Sequence, residues 1–363
     1  MRGFLTAILI SVTGTTASAG VCDSGTFTPR IGFSSWPTDF SFEGVDRAYA
    51  FIAENADIIL QHLDAGVPWE PALEGQAYPQ KLLVEWQTRV DKTPDDMPIF
   101  LALTPLNFGR DGLAADWTDA GEQQPLNADW SGRSFDDPAV IAAFTHYALS
   151  AVDQFDPAYL AIGIEANILI TKDPSAWPAY LTLNAAVYDA VKAAHPDLTV
   201  FTSIQYEYLR GIGDDSKPNL DMQQPGVAAL MEHSDLMALS TYRFGTFHPN
   251  PMGPEFFDIA LSFGKPVAIA ESGATSRSFM MGLFPMPSSE SRQLDFVSGL
   301  LQGAQEHDMP FLINWVNVDY DGLLEHFPSE LYDFGKVWVS TGLETYDGDP
   351  KPALEIWRRC LGR

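Results

Sequence analysis

The chain alternates between two kinds of segment. Eight apolar runs of five or six residues, at 30–34, 58–63, 99–104, 160–165, 199–204, 236–241, 267–271 and 311–315, end in polar or aromatic side chains. Most are rich in Val, Ile, Leu and Ala without clean alternation, the pattern of parallel strands buried on both faces. Between them lie longer stretches with apolar residues every three or four positions, the period of a helix packed on one side. Start signals mark several of these helices. Ser134-Phe135-Asp136-Asp137-Pro138 opens a helix over 139–155, and Ser175 is expected to cap one running over 179–194 to the stop at His195-Pro196. Ser288-Ser289-Glu290 opens a helix over 292–306, and Pro352 starts the last one, through Cys360. Alternating strands and helices imply a parallel sheet with right-handed crossovers, and eight such units close most naturally on themselves. The expected architecture is α/β, a single (β/α)8 barrel over residues 20–363. Two long stretches, 107–131 and 242–254, follow candidate strands and would lie on the C-terminal face, where such barrels keep their sites.

Composition changes the picture in three ways. The 363 residues are 46% hydrophobic and 19% charged, enough to bury a sizeable core. The formal charge of −27 disfavours nucleic acid and anionic membranes, which require a basic footprint, and weakly disfavours a polyanionic substrate. At the N-terminus, Arg2, the apolar stretch 4–12 and Ala17-Ser18-Ala19 have the form of a secretory signal over residues 1–19. Gly20-Val21 before Cys22 does not suit a lipoprotein anchor, and the apolar stretch is too short to span a bilayer. A secreted or periplasmic monomer is expected, with no membrane or nucleic-acid partner. Its two cysteines, Cys22 and Cys360, fall near the start of the first strand and the end of the last helix. Both places lie on the bottom face of a closed barrel, so a disulfide joining them is expected. In the chain-entropy model so long a loop contributes up to about 5 kcal/mol.

The chemistry is carried by two glutamates. Glu165 ends Tyr159-Leu160-Ala161-Ile162-Gly163-Ile164-Glu165, and Glu271 ends Pro266-Val267-Ala268-Ile269-Ala270-Glu271. A carboxylate is costly at the end of a buried apolar strand unless it has a partner or a task. Pairing with an arginine such as Arg243 is the structural alternative. The chemical one is glycosidic bond cleavage, which needs one carboxyl kept protonated and one kept ionised. Aromatic faces for sugar rings are plentiful: nine tryptophans, with Trp36 and Trp69 after the first two runs and Trp117 and Trp130 after the third. Gln61, His62 and Asp64 close the second run, and Gln205, Tyr206 and Glu207 the fifth, each able to meet a hydroxyl or to line the mouth. Other chemistries are unsupported. The seven histidines lack zinc-site spacing, no nucleophile elbow or phosphate loop occurs, and Asn317-x-Asp319-x-Asp321-Gly322 begins like a calcium loop but reaches Pro328 where a glutamate is needed. No metal or cofactor is expected.

With Glu165 on the fourth run and Glu271 on the seventh, the layout resembles clan A of the retaining glycoside hydrolases, which are TIM barrels. The resemblance covers nearly all of the chain after residue 19. It implies that Glu165 is the acid/base and Glu271 the nucleophile. It further implies that Trp315, in Leu312-Ile313-Asn314-Trp315, is the platform under the cleaved sugar, and that Tyr242 contacts the nucleophile. Ile164 stands where many clan members carry Asn just before the acid/base, and the nearest asparagine is Asn167. Clan members acting on β-mannan often lack that Asn, and Glu271-Ser272-Gly273-Ala274-Thr275-Ser276 is similar to their nucleophile strand; the N-terminal half is more loosely similar to endo-β-1,4-galactanases. The expected function is a retaining endo-β-glycanase on a neutral oligo- or polysaccharide. Trp36, His62, Asp64, Trp69, Asn167, Gln205, Tyr242 and Trp315 are its expected substrate contacts. A non-catalytic carbohydrate-binding barrel, an inverting hydrolase and a transglycosylase on the same fold remain as alternatives.

Overall fold

The computed structural model describes residues 22, 27–211, 220–242, 252, 254–327 and 329–362. The expected signal, Arg243, most of the 242–254 stretch and Pro328 lie outside the described residues. Eight barrel strands run in chain order: β1 Arg30–Ser34, β2 Ile58–Leu63, β3 Ile99–Leu103, β4 Tyr159–Ala161, β5 in two pieces (Thr199–Phe201 and Ser203–Gln205), β6 Met237–Tyr242, β7 Val267–Gly273 and β8 Phe311–Asn314. Every pairing between them is parallel. The first piece of β5 pairs with β4 and the second with β6, so the sheet closes on itself through Thr202. The principal helices between strands are α1 Phe42–Asn55, α2 Gln80–Lys92, α3 Pro138–Phe155, α4 Trp177–Ala194, α5 Leu220–Met231, α6 Asp258–Leu261 and α7 Glu290–Glu306, and α8 Pro352–Cys360 ends the series. This is the (β/α)8 barrel the alternation predicts.

Local chemistry explains the helix ends. Asp137 caps α3 by accepting from the Ala139 amide, and Ser289 caps α7 by accepting from the Arg292 amide. Helix α4 departs from expectation. Its N-cap is Ala176, and Asp173, not Ser175, gathers the local donors, accepting from the Ser175 amide and hydroxyl and from the Ala176 amide.

Two cores share the strands. Phe100, Phe201 and Phe311 fill the barrel interior, with ring centroids 5.1 to 6.0 Å apart, and Ala102, Ala161, Ala238, Ala268 and Ala270 leave them room. The second core lies between strands and helices. Membership alternates along β7: Val267 and Ile269 face the helices, Ala268 and Ala270 the interior. Strict alternation would therefore send Glu271 outward. A bulge between Ile269 and Glu271 shifts the register and pairs Glu271 with Ser240 of β6, two residues beyond the inward Ala238. The extra residue re-aims the carboxylate into the barrel mouth.

Cys22 and Cys360 form a disulfide with their Cα atoms 5.0 Å apart, joining the chain ends across 338 positions. Among the described residues no helix is long and apolar enough to cross a membrane. The 107–131 stretch folds into a small hairpin, Asp116–Thr118 with Gly121–Gln124, and packs beside the short helix Trp69–Glu74. A second hairpin, Arg277–Met281 with Phe284–Ser289, follows β7.

Candidate active site

The mouth is built on strand ends. Glu271 is buried, 7% exposed, and accepts a hydrogen bond of 2.9 Å on Oε2 from the Tyr242 hydroxyl. His62 Nε2 lies 3.2 Å from Oε1 of the same carboxylate, without the alignment of a hydrogen bond. Trp315 stands edge-on to His62, ring centroids 4.7 Å apart, and Trp36 leans on Trp315 at 5.7 Å. These five residues lie on or just past β1, β2, β6, β7 and β8; His62, Tyr242 and Trp315 keep the parity of the interior residues Leu60, Ala238 and Ile313, and Glu271 joins them through the bulge. The Tyr242 phenol is pushed up by burial first and then by the charges of Glu271 and Glu165, so it stays a donor.

Glu165 reaches the mouth differently. Regular β4 ends at Ala161, four residues earlier than the apolar pattern indicates. The chain continues along β5, with the Ile162 amide donating to Phe201 O and Ser203's amide to Gly163 O. It then turns with Glu165 at φ 51°, a left-handed conformation that costs a non-glycine residue energy and marks sites held by their surroundings. Ser203 Oγ accepts from the Glu165 amide at 2.9 Å, and the Ala166 amide donates to Ser203 O. The side chain is half-buried, and among the described residues its carboxylate makes no hydrogen bond. Burial, and after it the charge of Glu271, pushes this carboxyl up to about 8, while Arg110 pulls the other way. Placed so, the Glu165 carboxyl favours its protonated form, and no side chain among the described residues accepts that proton.

Two further residues complete the electrostatics. Arg110, 6% exposed and itself at φ 55°, reaches Asp64 with both terminal nitrogens, at 3.4 and 2.9 Å, and donates to Asn107 O. Its charge is felt by both Glu165 and Glu271. Glu207, 5% exposed, follows β5 and is pushed up to about 7 chiefly by burial. Arg110 carries no periodic signal in its loop, and Glu207 is visible in the sequence only as one of three polar residues closing the fifth run. Trp338, from the long connection between β8 and α8, stands edge-on to Tyr242 at 6.2 Å, and nothing in the local pattern marks it.

Several expected contacts lie elsewhere. Trp69 is fully buried, stacks on Trp130 at 5.3 Å and donates its ring N–H to Ala114 O, so it presents no face to a sugar. Trp117 and Trp130 are buried with it. All three fill the space under a long loop, where large aromatics supply the apolar area. Asn167 is fully buried and clamps the β5 end, accepting from the Gln205 amide at 2.8 Å and donating to Gln205 O at 3.0 Å. Gln205 accepts from the Tyr208 amide and donates to Glu207. These two support the mouth rather than line it. Asp64 is engaged with Arg110. In the run that begins like a calcium loop, Asn317 donates to Ser34 O and Trp36 O, Asp319 pairs with the buried Lys351, and Asp321 pairs with Arg277.

Solved structures share this architecture. The exo-β-1,4-mannosidase of Opitutaceae bacterium strain TAV5 matches with a TM-score of 0.63 at 14% identity, over 93% of this chain and 59% of its own. The barrel is the common ground. The chain thus spans under two thirds of that protein. GH5_18 from Streptomyces cattleya, in complex with GlcNAc, matches with a TM-score of 0.63 at 16% identity over 93% of this chain and 80% of its own. Xylanase 10B from Thermotoga maritima matches at 0.62 and 12% identity, over 93% and 95%. No family model and no curated protein matches the chain.

Proposed function

We propose that the protein is a retaining glycoside hydrolase acting on β-linked glycans. The observation that carries this reading is the unequal pair: a bulge-aimed Glu271 held by Tyr242, facing a desolvated Glu165 whose proton affinity is raised in part by Glu271 itself. In the proposed reaction Glu271 attacks the anomeric carbon while Glu165 gives its proton to the leaving oxygen. Once Glu271 is esterified its charge is gone, the Glu165 carboxyl falls, and Glu165 takes a proton from the incoming water. Trp315, with Trp36 beside it, offers the face under the cleaved sugar, and His62 the neighbouring polar group. Transition-state charge at the anomeric centre sits beside carboxylates rather than in water, which is where the rate gain originates.

The names of the solved relatives support a sugar substrate and suggest where to begin. One is an exo-β-1,4-mannosidase, and a second GH5_18 structure from Streptomyces cattleya holds Manβ1-4GlcNAc. We therefore place β-mannosides first, acted on from a chain end or internally, with β-1,4-galactan and xylan next. Export, a monomeric state and a neutral substrate belong to the same proposal, in keeping with the charge of −27 and the disulfide. The test is reducing-end release from a panel of β-glycans by wild type, Glu165→Ala and Glu271→Ala, with proton NMR of the first-formed product. Turnover lost in both variants, with retained anomeric configuration, is expected. Inverted product would replace the double displacement with a single one, and binding without turnover would leave a carbohydrate-binding barrel.

A further inference from the structure

A continuous set of hydrogen bonds runs behind the mouth, from the turn that holds Glu165 to the tyrosine that holds Glu271. Two residues after Glu165, Asn167 clamps the backbone of Gln205 from both sides. The Gln205 side chain donates to Glu207 Oε2 at 2.9 Å. The other oxygen, Oε1, accepts from Thr241 Oγ1 at 2.6 Å. Tyr242 is the donor to Glu271. Glu207 is the only charged group in this chain of bonds among the described residues, and both of its oxygens are engaged.

We propose that Glu207 is a positioning residue, a buried strut that ties the Glu165 turn to the end of β6 and so fixes Tyr242 against Glu271. The physical case is one of cost. A buried carboxylate is tolerated only when its lone pairs are met, and an apolar side chain would fill this site at lower cost if filling were the purpose. Thr241 faces away from the barrel interior, in line with Met237 and Leu239, so Glu207 grips β6 from behind and leaves the inward Tyr242 free to meet Glu271. A strut anchored to both catalytic supports fixes their mutual distance, on which a double displacement depends. Its charge faces Glu165 as well, alongside Glu271, Asp64 and Arg110.

The inference rests on the glycoside hydrolase reading for its kinetic arm only. Glu207→Gln keeps both bonds, its amide oxygen meeting Gln205 and its NH2 donating to the Thr241 hydroxyl, so it should hold kcat within about 2-fold. Glu207→Leu is close in size and keeps neither bond. On whichever glycan the wild type cleaves, it is expected to lower kcat about 10-fold with KM within about 2-fold. In a Tyr242→Phe background the same change is expected to add less than about 2-fold, because the strut acts through that tyrosine. Undiminished kcat, or an equal loss in both backgrounds, would overturn the proposal. If Glu207→Leu does not fold, Thr241→Val removes only the hydroxyl contact and takes the same test. The second arm needs no turnover. Carbon-13 NMR of protein labelled at the glutamate side-chain carboxyls, with Glu165 assigned through Glu165→Gln, should show the Glu165 midpoint fall in Glu207→Gln. An unmoved midpoint counts against the strut. A wild type inert on every glycan would sink the functional reading and leave this arm to judge the strut alone.

Discussion

The ends of β4 and β7 present the same side chain to the same mouth by opposite means. On β7 the strand continues through Gly273, and one bulge rotates Glu271 inward, where Tyr242 and His62 meet it. On β4 the strand gives out at Ala161, and Glu165 is thrown into the mouth by a left-handed turn pinned to Ser203. One carboxylate is held by the Tyr242 hydroxyl on a rigid element. The other is desolvated, is given no acceptor, and is pushed up to about 8 by burial and by the first. The difference suits the proposed roles, a fixed nucleophile and a proton carrier whose affinity changes during the reaction. It also shows that equivalent positions in a sequence pattern need not be equivalent in the backbone.

The largest effect should come from breaking the β7 side. Glu271→Ala is expected to lower kcat about 10,000-fold, read by substrate hydrolysis under saturating conditions. Breaking the β4 side is gentler and depends on the substrate. Glu165→Ala should cost about 1,000-fold on a glycan, and far less on an aryl glycoside whose leaving group needs no proton. Equal losses on both substrates would remove Glu165 from the acid role. Tyr242→Phe leaves Glu271 in place without its hydroxyl donor, and a hydrogen bond to a charged group contributes about 1.5–3 kcal/mol. That corresponds to a fall in kcat/KM of roughly 10- to 100-fold.

The pH profile sharpens the same contrast. Glu165 must be protonated to act as an acid, so kcat/KM should hold through neutrality and fall as pH rises through about 8. Replacing Glu271 by Gln removes a negative neighbour, so the Glu165 midpoint should move down, as measured by carboxyl NMR. The stability sign follows from the raised folded-state value. A neutral buried carboxyl is favoured below its unfolded pKa, and stability is lost as pH climbs from there through about 8. Glu165→Gln should therefore raise Tm at pH 9 relative to wild type by roughly 3 °C, with little gain at pH 4. The smallest effect on turnover belongs to the bottom face. Cys360→Ser, which opens the disulfide to Cys22, should lower Tm by several degrees and leave kcat within about 2-fold.

Much of this was legible along the chain because it is a local property. Strand and helix periods depend on neighbours a few residues away, as do the Asp137 and Ser289 caps, and they fix eight βα units in order. Eight units in turn bring the chain ends to one face, which places Cys22 near Cys360. The polar ends of the runs mark the rim, and with it Glu165, Glu271, His62, Tyr242 and Trp315.

What the tertiary structure alone decided concerns direction and environment. Strict alternation from Ala268 sends Glu271 outward, and only pairing against β6 introduces the bulge that turns it. Trp69 has the composition of a platform and the burial of a core residue, because the folded-back 107–131 loop covers it. Asn167 and Gln205 have the chemistry of sugar ligands, yet they meet each other and Glu207 instead. Arg110 and Glu207 gain their weight from carboxylates on other strands, distant in sequence and close in space. Periodicity is set by each residue's own neighbours in sequence, whereas desolvation, bulge register and the choice of hydrogen-bond partner are set by whatever the closed barrel brings alongside.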